Sequence, residues 1–556
     1  MNRSAIPFAL LALTIGCTGT KIEDEPEEDR TDEIFVMSRL LDVHVEIDPD
    51  DWDRLRVQER GDLRIEPPEC SLGESPYDWF SSRVTVDGET FEDVGIRKKG
   101  FFGSMDDTKP SLKIRFDKYV DDQEFLTADR LTLNNSVQDE SYVRQCLSYE
   151  MFRAAGIPAS RCNFAQVTVN GDYLGIYVNV EGIKKPFLRR HFDDDEGTLF
   201  EGTLSDFRDG WTGTFEQKTN EEESDYRAID ALSEALQEDD DALIGAIESV
   251  LDMDQFLTFW AMENMTAHWD GYAGNTNNFY FYDDPTSERM HFIPWGTDGT
   301  FGFPYMLFEE RMAPHSINAA GLLARRLYQH PEGQGMYLDR MQSLLDEHWD
   351  EDAMEDSIIA MTGVFGPHLS EGEEGTTRDE IQATIDFVDQ QARLIEDEID
   401  EGPAEWEASL RGDLCGGDWD DDDEFGVFFN NDLNLEDLEG VSSYQRIEED
   451  GSYCVVTSSL VDVYEVPDCG EDCFFGMVMT YQIDEIEDGS TCTEEDLFMD
   501  ELTIGFGQGK TIIFEDSDLT FYRLQYHDGD TWTETDGGYS VTPDDGTDMW
   551  YFGWEY

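Results

Sequence analysis

The chain reads as an α+β protein in three parts: a strand-rich N-terminal region, a helical middle and an all-β C-terminal region. Three observations carry this. Apolar residues alternate with period two through much of residues 34–185, as in VHVEID, VTVDGETFEDVGIRKKG and SLKIRF. Helix-period runs such as YRAIDALSEALQ, DQFLTFWAMENMTAHW and RDEIQATIDFVDQQARLIEDEI dominate residues 200–400. Short alternating segments broken by turn residues return over 430–556, which fits a β-sandwich or small barrel.

With 556 residues the chain exceeds one ordinary domain, and 39% hydrophobic and 12% aromatic residues are enough for real cores. Its formal net charge of −89 repels phosphates, which excludes nucleic acid and anionic membrane surfaces as partners. Acids spread over the whole length, with few lysines, suit a saline medium. At the N-terminus Arg3 precedes an apolar run over 5–15, too short to span a bilayer and typical of an export signal. Gly16-Cys17 then resembles a bacterial lipoprotein processing site, with Thr14 where an aliphatic residue is usual. This predicts a signal peptide over 1–17 with Cys17 lipidated; a plain signal peptide is the alternative. Residues 18–35 form an acidic tether. Export permits disulfides. Of the eight other cysteines, five lie in the C-terminal part, so at least one is free or pairs outside it. Cys469 and Cys473 form C-x3-C with no histidine nearby, favouring structural disulfides over zinc.

The first region begins with a strand (VHVEID), a helical turn (DDWDRL) and a hairpin over Asp87-Gly88. A glycine-containing loop and the strand SLKIRF follow. Five of the ten lysines (Lys98, Lys99, Lys109, Lys113 and Lys118) fall within 98–118, joined by Arg97 and Arg115. In so acidic a chain this clustering marks a place where anionic groups are held, with a solvated basic face as the alternative. Gly100, Gly103 and Ser104 lie in the intervening loop, where backbone N–H groups can approach phosphates. Lys113 alternates with Leu112 and Ile114 and so projects from one strand face. Residues 140–155 predict a helix with Val143, Leu147, Met151 and Ala154 on one face, stopped by Gly156-Ile157-Pro158. A hairpin with an Asn170-Gly171 turn completes the region.

In the helical region Phe256 and Trp260 share a face and belong to the core. The stretch over 268–302 then predicts an acidic loop, a strand at 278–282, a turn at Asp284-Pro285, a strand at 290–293 and a loop around Asp298. Asp270 and Asp298 thus sit at opposite ends of a hairpin, with Asn275, Asn277 and Asn278 between them. Two acids and several amides suit a hard cation and the polarisation of a hydroxyl. Turn capping is the alternative use of the same residues. Residues 401–429 form a Gly/Asp-rich linker before the β region at 430–556.

Taken in order, GIRKKGFFGS, KPSLKIRFDKY, SYVRQCLSYEMFRAAGIPASRCNFAQVTVNGDYLGIYVNVEGIKKPFL, HWDGYAGNTNNFYFY and HFIPWGTDGTFG resemble the spore coat protein H (CotH) kinase-like family over roughly 36–400. The resemblance implies a two-lobed atypical protein kinase, with a β-rich N-lobe over about 36–185 and a helical C-lobe over about 186–400. It also implies ATP with Mg²⁺ or Mn²⁺. By position, Lys113 resembles the strand lysine that holds nucleotide phosphates, and Asp270 the catalytic-loop aspartate. Asp298 resembles the metal-binding aspartate. Asn275, five residues beyond Asp270, and Asn278, which opens the strand, are alternative metal-binding amides. Glu150 is a candidate partner for Lys113. Gly296 and Gln145 stand where the family commonly carries acids. The resemblance therefore leaves two readings: an exported kinase acting on Ser, Thr or Tyr hydroxyls of exported or surface proteins, and a catalytically weak pseudokinase serving as a surface structural or adhesion protein. The expected location is the bacterial cell envelope, as an outer-membrane or surface lipoprotein. If so, Cys17→Ser leaves the protein unprocessed or releases it into the soluble fraction. Unchanged processing and membrane partitioning on fractionation rules out lipidation.

Overall fold

The computed structural model describes residues 29–58, 75–100, 104–220, 225–302, 314–370, 372–404 and 406, together with backbone strands between 442 and 553. Cys17 and Gly103 lie outside the described residues. Among the described residues no helix is long and apolar enough to cross a membrane.

The N-terminal region is a closed barrel. Its strands are β1 (Leu40–Ile47), β2 (Phe80–Val86), β3 (Glu89–Lys98), β4 (Leu112–Arg115), β5 (Arg130–Asn134), β6 (Cys162–Val169) and β7 (Asp172–Val180), in the order β1-β2-β3-β4-β5-β7-β6. Parallel pairing of β1 with β6 closes it. The predicted alternation sends Val43, Val84, Ile96, Leu112, Ile114 and Leu131 into the barrel interior, where each is essentially inaccessible. Two hairpins form at the dipeptides expected to make them. Asp87 and Gly88, and Asn170 and Gly171, all take positive φ, which matches the twist of the flanking strands.

The predicted helix runs as α2 (Arg144–Ala154), between the short helices α1 (Pro49–Arg56) and α3 (Lys185–His191) in the chain, and starts later than its periodicity suggested. Asp139 accepts from the N–H groups of Ser141 and Arg144, while Tyr142 is left-handed, so the chain turns before it coils. Val143, Leu147 and Met151 are buried as expected, whereas Ala154, at the end of the helix, is exposed. Cys146 on α2 forms a disulfide with Cys162 at the start of β6, tying helix to barrel.

A connection through Glu181, Gly182, Ile183 and Lys184 leads into the second region. There a four-stranded sheet, β8 (Thr198–Gly202), β9 (Phe215–Gln217), β10 (Phe279–Asp284) and β11 (Arg289–Pro294), has the order β11-β10-β8-β9. The predicted hairpin is the β10–β11 pair, in register from Phe279 opposite Pro294 to Asp284 opposite Arg289. Around the sheet lie α4 (Arg227–Ala235), α5 (Asp240–Val250), α6 (Met253–Met265), a single turn α7 (Tyr272–Asn275), α8 (Leu322–Gln329), α9 (Pro331–His348), α10 (Glu351–Phe365) and α11 (Glu374–Glu401). The architecture is α+β, with separate apolar cores for the barrel and the helical region. Nearly all of α6 is buried, and Trp260 packs on Tyr337 with ring centroids 3.9 Å apart. Phe256 and Trp260 pack in the core as the helical spacing predicted.

Arg144 crosses from α2 to α11, donating to Glu380 at 2.5 Å and Thr384 at 3.1 Å. Lys109 reaches Tyr142 Oη at 2.6 Å and, more weakly, Glu373 at 3.4 Å. These contacts help fix α2 between the barrel and the helices. Further along, strands at Ser442–Glu449, Ser452–Glu465, Phe475–Ile486 and Glu501–Phe506 form one antiparallel sheet, and Thr531–Thr535, Gly538–Thr542 and Trp550–Gly553 a second. Because Trp260 anchors the helical core, Trp260→Ala is expected to cost about 3–5 kcal/mol, and chemical denaturation measures it. A loss below about 1 kcal/mol would contradict this packing.

Candidate active site

Asp270 lies in the turn between α6 and α7, and buried Glu263 shapes that turn. Its carboxylate accepts from the N–H groups of Tyr272 at 2.9 Å and Ala273 at 2.8 Å, satisfying the start of α7. Gly274 sits against the Trp269 carbonyl so closely that an added Cβ would come within 2.0 Å of the oxygen. The chain then passes through left-handed Thr276 and Asn278. That path aims three amides at one carboxylate. Asn275 Nδ2 donates to Asp270 Oδ1 at 2.6 Å and Asn277 Nδ2 to the same oxygen at 3.1 Å. Asn278 Nδ2 donates to Oδ2 at 2.5 Å. Burial raises the Asp270 pKa and nearby Asp298 adds to the rise, while the Asn275 and Asn277 amides and His268 oppose it.

Asp298 follows β11 and is 7% exposed. Asn134, at the end of β5, donates to its Oδ2 at 3.0 Å and to Gln145 Oε1 on α2, also at 3.0 Å. Thr297 donates to the Gln145 carbonyl at 3.2 Å. The N-terminal region therefore grips the segment carrying Asp298. His268 Nε2 lies 3.2 Å from the Gly296 carbonyl, linking the two acidic loops. Asp139 is pushed up to about 6, first by burial and, more weakly, by Asp298, with Arg144 and Ser141 opposing.

Strand alternation disperses the basic cluster instead of gathering it. Lys98 turns to the Arg56 carbonyl and Asp107, Lys109 to Tyr142 and Glu373, and Arg115 to Asp117. Lys118 lies over the Trp79 ring. Lys113 projects from the outer face of β4 beside Arg97 of β3. Burial and Arg97 lower its pKa to about 7, with Glu201 of β8 opposing. Lys99 is also lowered by burial, opposed by Asp298 and Glu201. The Asp298 charge thus acts on Lys99. Glu201 ion-pairs with Lys218 at 2.5 Å, and this partner holds its carboxyl down to about 2 although burial pushes it up.

The other predicted residues are placed as follows. Glu150 lies beside Arg153 and Ser357, not at Lys113, because its helix face turns toward α10. Gly100 takes φ +127°, and an added Cβ there would lie 2.9 Å from Ser104 Oγ, so these two residues form the neck of the glycine-containing loop. Asn134, bonded to Asp298, and Glu201, paired with Lys218, are not among the residues the sequence singles out. In LTLNNS, amides replace the expected apolar residues at the strand end, a signal for Asn134; Glu201 carried none.

Among the described residues no group of three or more His, Cys, Asp or Glu side chains could cage a metal. Mg²⁺ does not need such a cage, since it keeps several waters and takes phosphate oxygens. One carboxylate, Asp298, with the Oδ1 of Asn278 as amide ligand, is a fitting donor set. Asn278 Nδ2 is committed to Asp270, and its Oδ1 lies beside Gly296, where an added Cβ would come within 2.6 Å.

A family model described as CotH kinase protein matches residues 96–404, more than half the chain, and the protein belongs to this family. Invasin CotH2 of Rhizopus delemar is 28% identical over 187 residues, covering 31% of this chain and 32% of its own. Inner spore coat protein H of Bacillus subtilis is 24% identical over 250 residues, covering 43% of this chain and 68% of its own. The chain thus spans only about a third of the invasin's length. Among solved structures, the Helicobacter pylori proinflammatory kinase CtkA aligns over 53% of this chain and 95% of its own, at 10% identity and a TM-score of 0.25.

At Gly296, φ is +52° and Asn278 leaves no space for a side chain. Gly296→Ala is expected to cost about 1–3 kcal/mol in thermal melts and to displace Asn278 from Asp270. An unchanged melting temperature would show that this close approach is not required.

Proposed function

We propose that this protein transfers the γ-phosphate of ATP to Ser, Thr or Tyr hydroxyls of exported or cell-surface proteins, from a position in the bacterial cell envelope where Cys17 anchors it. Membership of a family described as kinase proteins supports the reaction class. The observation that carries the reading is the bonding state of Asp270. A carboxylate has about four acceptor positions. Two amides occupy Oδ1 and one occupies Oδ2, so one position on Oδ2 is left for an incoming hydroxyl.

Each residue then has a role. Asp270 orients the acceptor hydroxyl and takes its proton as the oxygen bonds to the γ-phosphorus and the bond to ADP breaks. Its raised pKa makes it a better base than a free aspartate. Asp298 and Asn278 would hold the cation, with Asn275 retained as a support of Asp270. A bound Mg²⁺ or Mn²⁺ supplies charge neutralisation between phosphate oxygens. Lys113 and Lys99 offset phosphate charge from the barrel side, beside the loop neck at Gly100 and Ser104. Burial of Asp298 keeps water from competing at that carboxylate.

The second reading, a weak or inactive pseudokinase acting as a surface binding protein, is favoured by the helix between the lobes. Gln145 is neutral and Glu150 points away from Lys113. Incubation with labelled ATP and Mg²⁺ or Mn²⁺ separates the two. Asp298→Asn is expected to lower metal-dependent ATP affinity and turnover together. Asp270→Asn should leave metal–ATP binding nearly intact and lower turnover by roughly 10²- to 10⁴-fold. Full autophosphorylation by Asp270→Asn, or no transfer by the wild type, decides for the binding protein.

A further inference from the structure

β5 ends at Asn134, and a second asparagine, Asn135, follows it; both are buried. Consecutive side chains of an extended chain point to opposite sides, and these two amides serve different parts of the site. Asn134 Nδ2 donates one hydrogen to Asp298 Oδ2 and the other to Gln145 Oε1, each at 3.0 Å. Its Oδ1 accepts from the Ser136 N–H at 3.2 Å. A backbone N–H can only donate, so the amide oxygen must face Ser136 and the amide hydrogens must face Asp298 and Gln145. This is the hydrogen bond that the Asp298 side chain makes among the described residues, and it takes up Oδ2, not Oδ1. Asn135 Nδ2 turns the other way. It donates to the carbonyls of Ser104 at 3.1 Å and Lys109 at 2.9 Å, spanning the segment that leads from the loop neck toward β4. Buried Ser111 joins the two asparagines: its Oγ accepts from the Asn135 N–H at 2.9 Å and donates to Asn134 Oδ1 at 3.4 Å.

We propose that Asn134 and Asn135 are positioning residues for the two halves of the site. Asn134 aims the Asp298 carboxylate at a cation, and Asn135 sets the segment from Ser104 to Lys109 beside the phosphates. What those halves bind rests on the kinase reading; the positioning itself is a matter of these hydrogen bonds. Asn134 fastens one carboxylate oxygen from the barrel, so the other is presented in a fixed direction. An amide does this without neutralising the acid. Gln145 belongs to the same arrangement. An acid at that position would share one buried amide with Asp298, and each negative charge would oppose the other. The neutral glutamine accepts the second N–H and adds no charge, so the departure from the family pattern has a use in the site. Because Asn134 belongs to the barrel and Asp298 to the second region, the acid is aimed only where the two pack together. Ser111 links the asparagines, so phosphate segment and metal acid are both set from one strand end instead of from separate mobile elements.

The test compares ATP binding by the full-length protein with Mn²⁺ and in EDTA. Asn134→Ala is expected to cut the gain in ATP affinity that Mn²⁺ confers by about 10- to 100-fold, the usual effect of removing a support of a metal ligand, and to leave binding in EDTA unchanged. Asn135→Ala should weaken binding in both conditions alike and keep the Mn²⁺ gain. Loss of packing alone would give both variants the same pattern, and that result overturns the proposal. Hydrogen exchange reads the same contacts with no ligand present. Asn134→Ala should remove protection from residues 295–301 and not from 104–111, and Asn135→Ala the reverse. Unmoved exchange in both segments also overturns the proposal. A wild type that binds no ATP with Mn²⁺ sinks the kinase reading, and the exchange pattern then decides the positioning on its own. ATP binding that neither substitution alters sinks the positioning and leaves the kinase reading. Should Asn134→Ala fail to fold, Asn134→Leu, with the same branched shape and neither donor, takes its place under the same outcomes.

Discussion

Asp270 is a part-buried carboxylate with a second acid, Asp298, nearby, and both burial and that neighbouring charge work against its own charge. The surrounding structure answers that constraint. Asp270 is ringed by three amide donors from a single short turn. Asp298 is held by an amide from the barrel. Amides stabilise a carboxylate without neutralising it, so the charges remain available for a cation and a hydroxyl. Had arginines occupied those places, the acids would be ionised but already paired.

The same constraint explains why the inner part of the site is built of glycines and left-handed residues. Three amides within four residues can converge on one carboxylate only if the backbone doubles back, and Thr276 and Asn278 supply that turn with positive φ. Such conformations carry a steric cost, about 1–2 kcal/mol for each non-glycine residue. The buried Glu263, which satisfies two α7 N–H groups, and Gly274, which packs on the Trp269 carbonyl, make the path the favourable one. The loop owes its shape to α6, nearly all of which is buried in the larger core.

Charge is arranged in opposite senses inside and outside. The chain carries −89 overall, yet Arg97, Lys113 and Arg130 stand on three neighbouring barrel strands, and Lys218 pairs with Glu201 of the second sheet. An acidic exterior repels stray polyanions, while, among the described residues, these local cations make a region suited to an anionic group. Partial burial makes each of those cations count for more than it would in water.

Much of this was legible from the chain alone. Alternation located the barrel strands, Asp87-Gly88 and Asn170-Gly171 set two hairpins, and the β10–β11 ribbon with its flanking acids was readable from 268–302. Those features depend on residues close in sequence, where side-chain periodicity and turn chemistry act directly. The destination of each charged side chain was not legible. Lys98 and Lys99 are adjacent, yet Lys98 is paired with Asp107 while Lys99 is under the influence of the Asp298 charge, because neighbouring residues take different directions from the barrel wall. Glu150 was within plausible reach of Lys113 by spacing, but packing of α2 turned it toward α10. Asn134 and Asp298 stand 164 positions apart, and their hydrogen bond forms only where the barrel packs on the second region. Local sequence determined the elements and the acids at their ends. The packing of one lobe on the other decided which charges meet, because electrostatic partners are chosen by distance in space and by burial, and neither is written into a run of consecutive residues.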